Sequence, residues 1–419
     1  MARHWIRTLE TVLLTAVACT GRSDTGRDVW RTATSLVLTD SVHWVDSLAR
    51  EPMVVQHPDG ALFLAGYGAT GPDTTAPPLL WKSDDGGTTW SRVNVGTRED
   101  GAMGNSDVDL AVARDGTLYF VAMGFNWETG EGTHIAIGVS HDTGATWTWT
   151  SLSQHRFDDR PWVEVAPDGT AHVIWNDGSG VCHAVSTDGG VTWVEKSRVS
   201  EHGGSSHLAV GPHGEVAVRI TPLSASGNRS DPGVDRIAVS TDRGDSWTAF
   251  DAPGERVWGD SWDPDSLIRW VEPIAWDAAG ALYSLWSTGA ELWLGRSDDR
   301  GAHWDTWPVA RDDERIEFPY LVGGDAGEVA ATWFSGRRDS LRLNLAAIVA
   351  PGEGASAPRV LRGVPLTIDT WSRDGRLRDT GGEYAPVVIL ADRTLGVATP
   401  IQNAQEGRAG FSWWHFTAR

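Results

Sequence analysis

The sequence predicts an all-β fold, a β-propeller of seven blades (six being the alternative) closed by an N-terminal strand, and three observations carry that prediction. First, an octapeptide recurs five times: SDDGGTTW at 83–90, SHDTGATW at 140–147, STDGGVTW at 186–193, STDRGDSW at 240–247 and SDDRGAHW at 297–304. Second, seven tight-turn sequences lie between apolar runs: HPDG (57–60), ARDG (113–116), APDG (166–169), GPHG (211–214), DAAG (277–280), GDAG (324–327) and LADR (390–393). Third, the 419 residues include 48 glycines and only 4 methionines. Glycine costs about 1 kcal/mol per helical position relative to alanine, so strands and turns should dominate.

Each element follows from local chemistry. In the octapeptide the aspartate caps turn amides, the glycine supplies a positive φ, and the tryptophan packs the turn onto its own sheet. The repeats start 57, 46, 54 and 57 residues apart, a spacing that suits four short strands per unit. The seven turns place units beginning near Glu51, Asp107, Pro161, Ser206, Val271, Glu317 and Glu383. The last unit has room for three strands before Arg419, so the strand-like run from Val29 to Leu38 is expected to supply its fourth.

Residues 1–28 form a separate segment. A basic start (Arg3, Arg7), a short apolar run from Val12 to Ala18 and then Cys19 match an export signal with a lipoprotein-type tether. The run is too short to span a membrane. The expectation is an exported chain, periplasmic, cell-surface or extracellular, with a lipid anchor possible at Cys19 and a single propeller domain over 29–419. Cys182, the other of two cysteines, reads as a small buried hydrophobe, so neither a disulfide framework nor a cysteine metal site is available. No metal or cofactor is called for. A net charge of −21 repels polyanions and excludes nucleic acid as a partner. A monomer acting on a glycan is expected, and the 24 tryptophans supply flat faces for cores or for sugar rings.

If the turns and octapeptides face one side of the ring, the starts of first strands face the other, and chemistry belongs there. That face carries Arg50-Glu51-Pro52, Asp107 and Asp109, Asp158-Asp159-Arg160, Ser206-His207, Glu272-Pro273, Glu317 and Glu383-Tyr384, with Arg219 and Arg337 at second-strand ends. Asp73 lies in the first unit's loop.

The octapeptides resemble the Asp-boxes, or BNR repeats, of the sialidase superfamily. In that family the boxes sit away from the active site, so the resemblance speaks for fold first. Carried over residue by residue, it implies that Tyr384 resembles the catalytic tyrosine, Glu272 the glutamate that activates it and Asp73 the acid/base. Arg50, Arg219 and Arg337 resemble the arginines that bind the sugar carboxylate, and His207 is a further candidate for the site. Departures are visible: Glu51 stands where the family has isoleucine, Ala385 where it has serine, and Glu272 lies one blade late. The implied activity is exo-cleavage of terminal sialic acid or a related acidic sugar from an anionic glycan. Three arginines would hold the carboxylate, and a neutral tyrosine would replace the carboxylate nucleophile of other glycosidases. Two alternatives stand beside it. One is a lyase of uronate-containing glycans using His207, Arg219, His172 and Tyr320. The other is a non-catalytic glycan-binding or assembly propeller with Trp162, Trp270, Trp286 and Trp371 as platforms.

Overall fold

The computed structural model describes residues 29–68, 73–221, 235–254, 271–336, 341–351, 356–371 and 382–419. Arg337, Trp270 and the segment with Cys19 lie outside the described residues.

Seven sheets follow one another along the chain, antiparallel except where Asp369–Trp371 adds in parallel to Leu395–Asn403 of the last. Blade 1 runs Arg50–Gln56, Leu62–Tyr67, Leu79–Ser83 and Ser91–Arg92, and blades 2 to 6 repeat this order, with inner strands at Val108–Val112, Asp159–Val165, Gly204–Val210, Ile274–Trp276 and Ile316–Gly323. Blade 7 is built from Val387–Ile389, Leu395–Asn403 and Arg408–Ala418, and its outermost strand is Leu36–Val45 from the other end of the described chain. Seven blades are therefore present and the ring is closed as expected, but the closing strand begins later than the sequence suggested. Val29–Thr32 is one helical turn, because Trp30 packs there at 0% exposure beneath the Arg393 guanidinium. The remaining unit starts agree with the inner strands to within four residues.

The five octapeptides share one hydrogen-bond plan. In the first, Gly87 N–H donates to Ser83 Oγ at 2.8 Å, Ser83 Oγ donates to Asp85, and Asp85 accepts from both the N–H and the hydroxyl of Thr89. His303 takes the place of that hydroxyl in the fifth box, bonding Asp299 at 2.6 Å. These donors hold each box aspartate down at about 2. The box glycines also pack onto the preceding blade: a Cβ on Gly87 would strike Trp413 of blade 7, on Gly144 Phe63 of blade 1, and on Gly244 His183 of blade 3. The box thus joins neighbouring blades, beyond closing its own turn.

Candidate functional site

At the entrances of the inner strands the same short sequence recurs: Arg50-Glu51-Pro52-Met53, Asp159-Arg160-Pro161-Trp162 and Glu317-Phe318-Pro319-Tyr320. In all three the ladder slips between the first and fourth residue. The residue before proline has a positive φ, 46° at Glu51, 47° at Arg160 and 47° at Phe318. Left-handed backbone at a non-glycine residue costs on the order of 1–2 kcal/mol, and a bulge re-aims the side chains on either side of it. Here the bulges direct charged residues of blades 1 and 3 to the mouth and send Met53, Trp162 and Tyr320 into the channel below.

The charged residues meet across blades 7, 1, 2 and 3. Arg160 Nε lies 3.8 Å from Asp159 Oδ2, and its Nη2 lies 3.6 Å from Glu383 Oε2. The backbone N–H of Glu383 donates to Glu51 Oε1 at 3.1 Å. Arg50 Nε donates to Tyr67 Oη at 3.1 Å. Asp107 of blade 2 completes the group electrostatically. Burial, reinforced by Asp107 and Glu383, pushes the Glu51 carboxyl well above the usual range. Asp159 is pushed up to about 7, mainly by burial, with Arg160 opposing and Asp107 and Glu383 adding. The side chains of Asp159 and Arg160 are each 17% exposed and that of Glu383 25%, so the group can be reached from outside.

Tyr384 lies in this group. It is buried, its hydroxyl has no hydrogen-bond partner among the described residues, and its titration is raised by burial and by Asp107, Glu383 and Glu51 against Arg160. Its ring stands edge-on to Trp162 at 5.3 Å. Trp162 in turn touches His207 at 4.7 Å, and His207 touches Tyr320 at 5.6 Å. Tyr320, His207 and Trp162 line a central cavity of about 590 Å³ together with Asp109 and Glu164. Burial pushes Glu164 up to about 7 and His207 down to about 4.

The other sequence candidates lie in other surroundings. Arg219 is fully buried in blade 4, where its Nη1 donates to Ser284 Oγ at 3.4 Å and its Nη2 pairs with Asp235 and with Glu272, the latter at 2.8 Å. Glu272 is thus engaged by Arg219, while the groups acting on Tyr384 are Arg160, Asp107, Glu383 and Glu51. Asp73 is exposed, accepts two hydrogen bonds from Thr75 and is held below its usual range by them. Of the four lyase candidates, His207 and Tyr320 share the channel, whereas His172 is stacked on His183 inside blade 3. Sequence reading had placed Glu51, Asp107, Asp159, Arg160 and Glu383 on this face without giving them roles. For Glu51, Asp159 and Arg160 the signal is the recurring charged-x-proline entrance, here a mark of bulges, whereas Asp107 and Glu383 lie outside that sequence.

The described residues contain no group of three or more His, Cys, Asp or Glu arranged to hold a metal ion and no helix long and apolar enough to cross a membrane. No family model matches the sequence, and no curated protein does. Solved structures do resemble it in fold. A fungal alcohol oxidase of the AA5 family, in complex with copper, aligns with a TM-score of 0.55 and 12% identity, over 91% of this chain and 76% of its own. An α-L-arabinanase from Penicillium chrysogenum complexed with arabinobiose gives 0.49 and 14%, over 92% and 98%. The Hadza microbial sialidase Hz136 gives 0.44 and 16%, over 68% and 63%. At these identities the likeness is one of architecture.

Proposed function

We propose that this propeller is a glycoside hydrolase whose reaction is run by the carboxylates at its mouth. The observation that carries the reading is the Asp159–Arg160–Glu383 arrangement, in which one guanidinium stands between a carboxyl that holds its proton near neutral pH and a second carboxylate. Glycosidic cleavage requires an acid to protonate the leaving oxygen and a carboxylate to act on the anomeric carbon directly or through water. Asp159 is suited to the first role and Glu383, 3.6 Å from the Arg160 guanidinium, to the second. As the bond breaks, the Asp159 proton passes to the departing oxygen. Glu383 then either forms the glycosyl ester, later hydrolysed by water, or removes a proton from the attacking water. With Glu51 and Asp159 holding protons, Asp107 and Glu383 still stand against Arg50 and Arg160, so the mouth has no excess of positive charge to hold an acidic sugar, which favours a neutral glycan over an anionic one.

A sialidase reading has one observation in its favour. The Tyr384 hydroxyl is buried without a partner among the described residues, next to carboxylates that could take its proton, and Arg50 and Arg160 could hold an acidic sugar. On this reading Tyr384 is the nucleophile and Glu383, rather than Glu272, its base.

Both readings are tested with aryl α-L-arabinofuranoside, β-D-galactoside, β-D-xyloside and α-sialoside as substrates, using the wild type, Asp159→Asn and Tyr384→Phe. Release from a neutral glycoside, lost by at least about 100-fold in Asp159→Asn and retained in Tyr384→Phe, supports the carboxylate reading. Release from the sialoside alone, abolished in Tyr384→Phe, supports the sialidase. No release from any of them, and none from the corresponding oligosaccharides, overturns both.

A further inference from the structure

Among the described tryptophans, Trp127 alone is exposed, at 37%. It sits at the tip of the hairpin joining Leu118–Asn126 to Glu131–Ser140 in blade 2. Inner strands run from the mouth to the Asp-box side and second strands run back, so this hairpin belongs to the mouth side. Its ring stands edge-on to Phe125, with centroids 4.7 Å apart.

The hairpin is rigidly mounted. Asn105 clamps the backbone of Phe125 on both sides: its Nδ2 donates to Phe125 O at 3.0 Å, and its Oδ1 accepts from Phe125 N–H at 2.7 Å. Behind the hairpin, Phe157 N–H donates to Gly132 O at 3.2 Å, and a Cβ on Gly132 would fall on the Asp158 carbonyl. The turn between the strands is closed by Gly130 N–H donating to Asn126 O and by the Asn126 side chain, which accepts from Glu128 and Thr129. The two segments that brace the hairpin lead directly into the mouth: Asn105 precedes Asp107 by two residues, and Phe157 precedes Asp159 by two. A half-exposed indole on a braced hairpin offers an apolar face to a ligand. Here a fixed framework holds it in water on the mouth side of blade 2. A flat, electron-rich face held still at the edge of a polar cleft fits the apolar C–H face of a sugar ring, and rigidity lowers the ordering cost of binding.

We propose that Trp127, backed by Phe125, is a sugar-stacking subsite that holds a second or later ring of a glycan chain whose scissile bond lies at Asp159 and Glu383. The proposal rests on the glycoside hydrolase reading and deepens it, assigning as substrate an oligosaccharide or polysaccharide instead of a single sugar on a small aglycone. Mounting on blade 2 directs the chain away from the axis across the Asp107 side of the mouth.

The test is electrophoresis of the whole chain through native gels containing arabinan, xylan, mixed-linkage β-glucan or galactan, with tryptophan fluorescence titration by the matching di- to hexasaccharides. Trp127→Ala and Trp127→Tyr are run alongside the wild type, and thermal unfolding confirms that each variant is folded. The expected result is retardation by at least one polymer. Affinity should rise from di- to tetrasaccharide, fall about 10-fold or more in Trp127→Ala, and be largely kept in Trp127→Tyr, while aryl glycoside hydrolysis is unchanged. Equal affinity of wild type and Trp127→Ala for every polymer, or no binding to any, overturns the subsite. Cleavage of aryl glycosides together with polymer binding that Trp127→Ala does not weaken leaves the hydrolase reading standing alone. Trp127-dependent binding without any cleavage keeps the glycan surface and removes the hydrolase.

Discussion

Asp159 concentrates the chemistry of the mouth. Its carboxyl is pushed up to about 7 by burial and by two neighbouring carboxylates, so it keeps a proton where an exposed aspartate would have lost it. As an acid catalyst it should give a rate that falls as pH rises through about 7, and the pH profile of kcat/KM on a neutral aryl glycoside checks this. Replacing Arg160 with Gln removes the charge that opposes this shift, so the falling limb should move to higher pH while the rate drops. A second residue pair titrates for structural reasons only. His172 Nδ1 and His183 Nε2 lie 3.1 Å apart with rings stacked inside blade 3, and burial holds them down to about 4 and about 3. Unfolded histidine titrates near 6.5, so the folded state binds fewer protons below that pH. The stability this pair contributes is complete above about pH 6.5 and is lost as pH falls towards 4, on the order of 3 kcal/mol for each histidine. Urea unfolding between pH 8 and pH 4.5 should show this slope, and a His172→Gln variant should flatten it.

At the scale of the element, the Asp-box acts as a joint between blades. Gly60 and Gly244 both have positive φ, 98° and 82°, yet a Cβ meets nothing within 4 Å at Gly60 and meets the His183 ring at 2.1 Å at Gly244. Gly60→Ala should therefore cost only the backbone term of about 1–2 kcal/mol. Gly244→Ala adds a clash across the blade 3–blade 4 contact and should cost at least about 1–3 kcal/mol more. Denaturant midpoints for the two variants separate these cases. The box was readable because its turn is local: Ser, Asp and Gly within eight residues determine the same hydrogen bonds in every copy. Its contact with the preceding blade was not readable, since Phe63, His183 and Trp413 lie far from it in the chain. The entrance bulges fall between these cases. Their charged-x-proline sequences were visible, but the left-handed backbone at Glu51, Arg160 and Phe318, beside a channel lined by Met53, Trp162 and Tyr320, was not.

Over the whole molecule, closure depends on one strand. Leu36–Val45 pairs along its length with Arg408–Ala418 and covers the free edge of blade 7. A chain beginning at residue 46 would expose that edge and should lose cooperative thermal unfolding and self-associate, which circular dichroism and light scattering would report. Ring closure also decides which charges meet. Glu383 arrives beside Glu51 although 332 residues separate them, and Arg219, expected at the mouth, is drawn into a buried ion pair with Asp235 and Glu272. By itself the sequence determined the propeller, the box geometry and the face on which polar residues gather, because each depends on short-range pattern and period. Only the tertiary structure decided which of those residues share a dielectric environment. Coulomb energy and desolvation depend on distance through space and on burial, and the order of residues along the chain records neither.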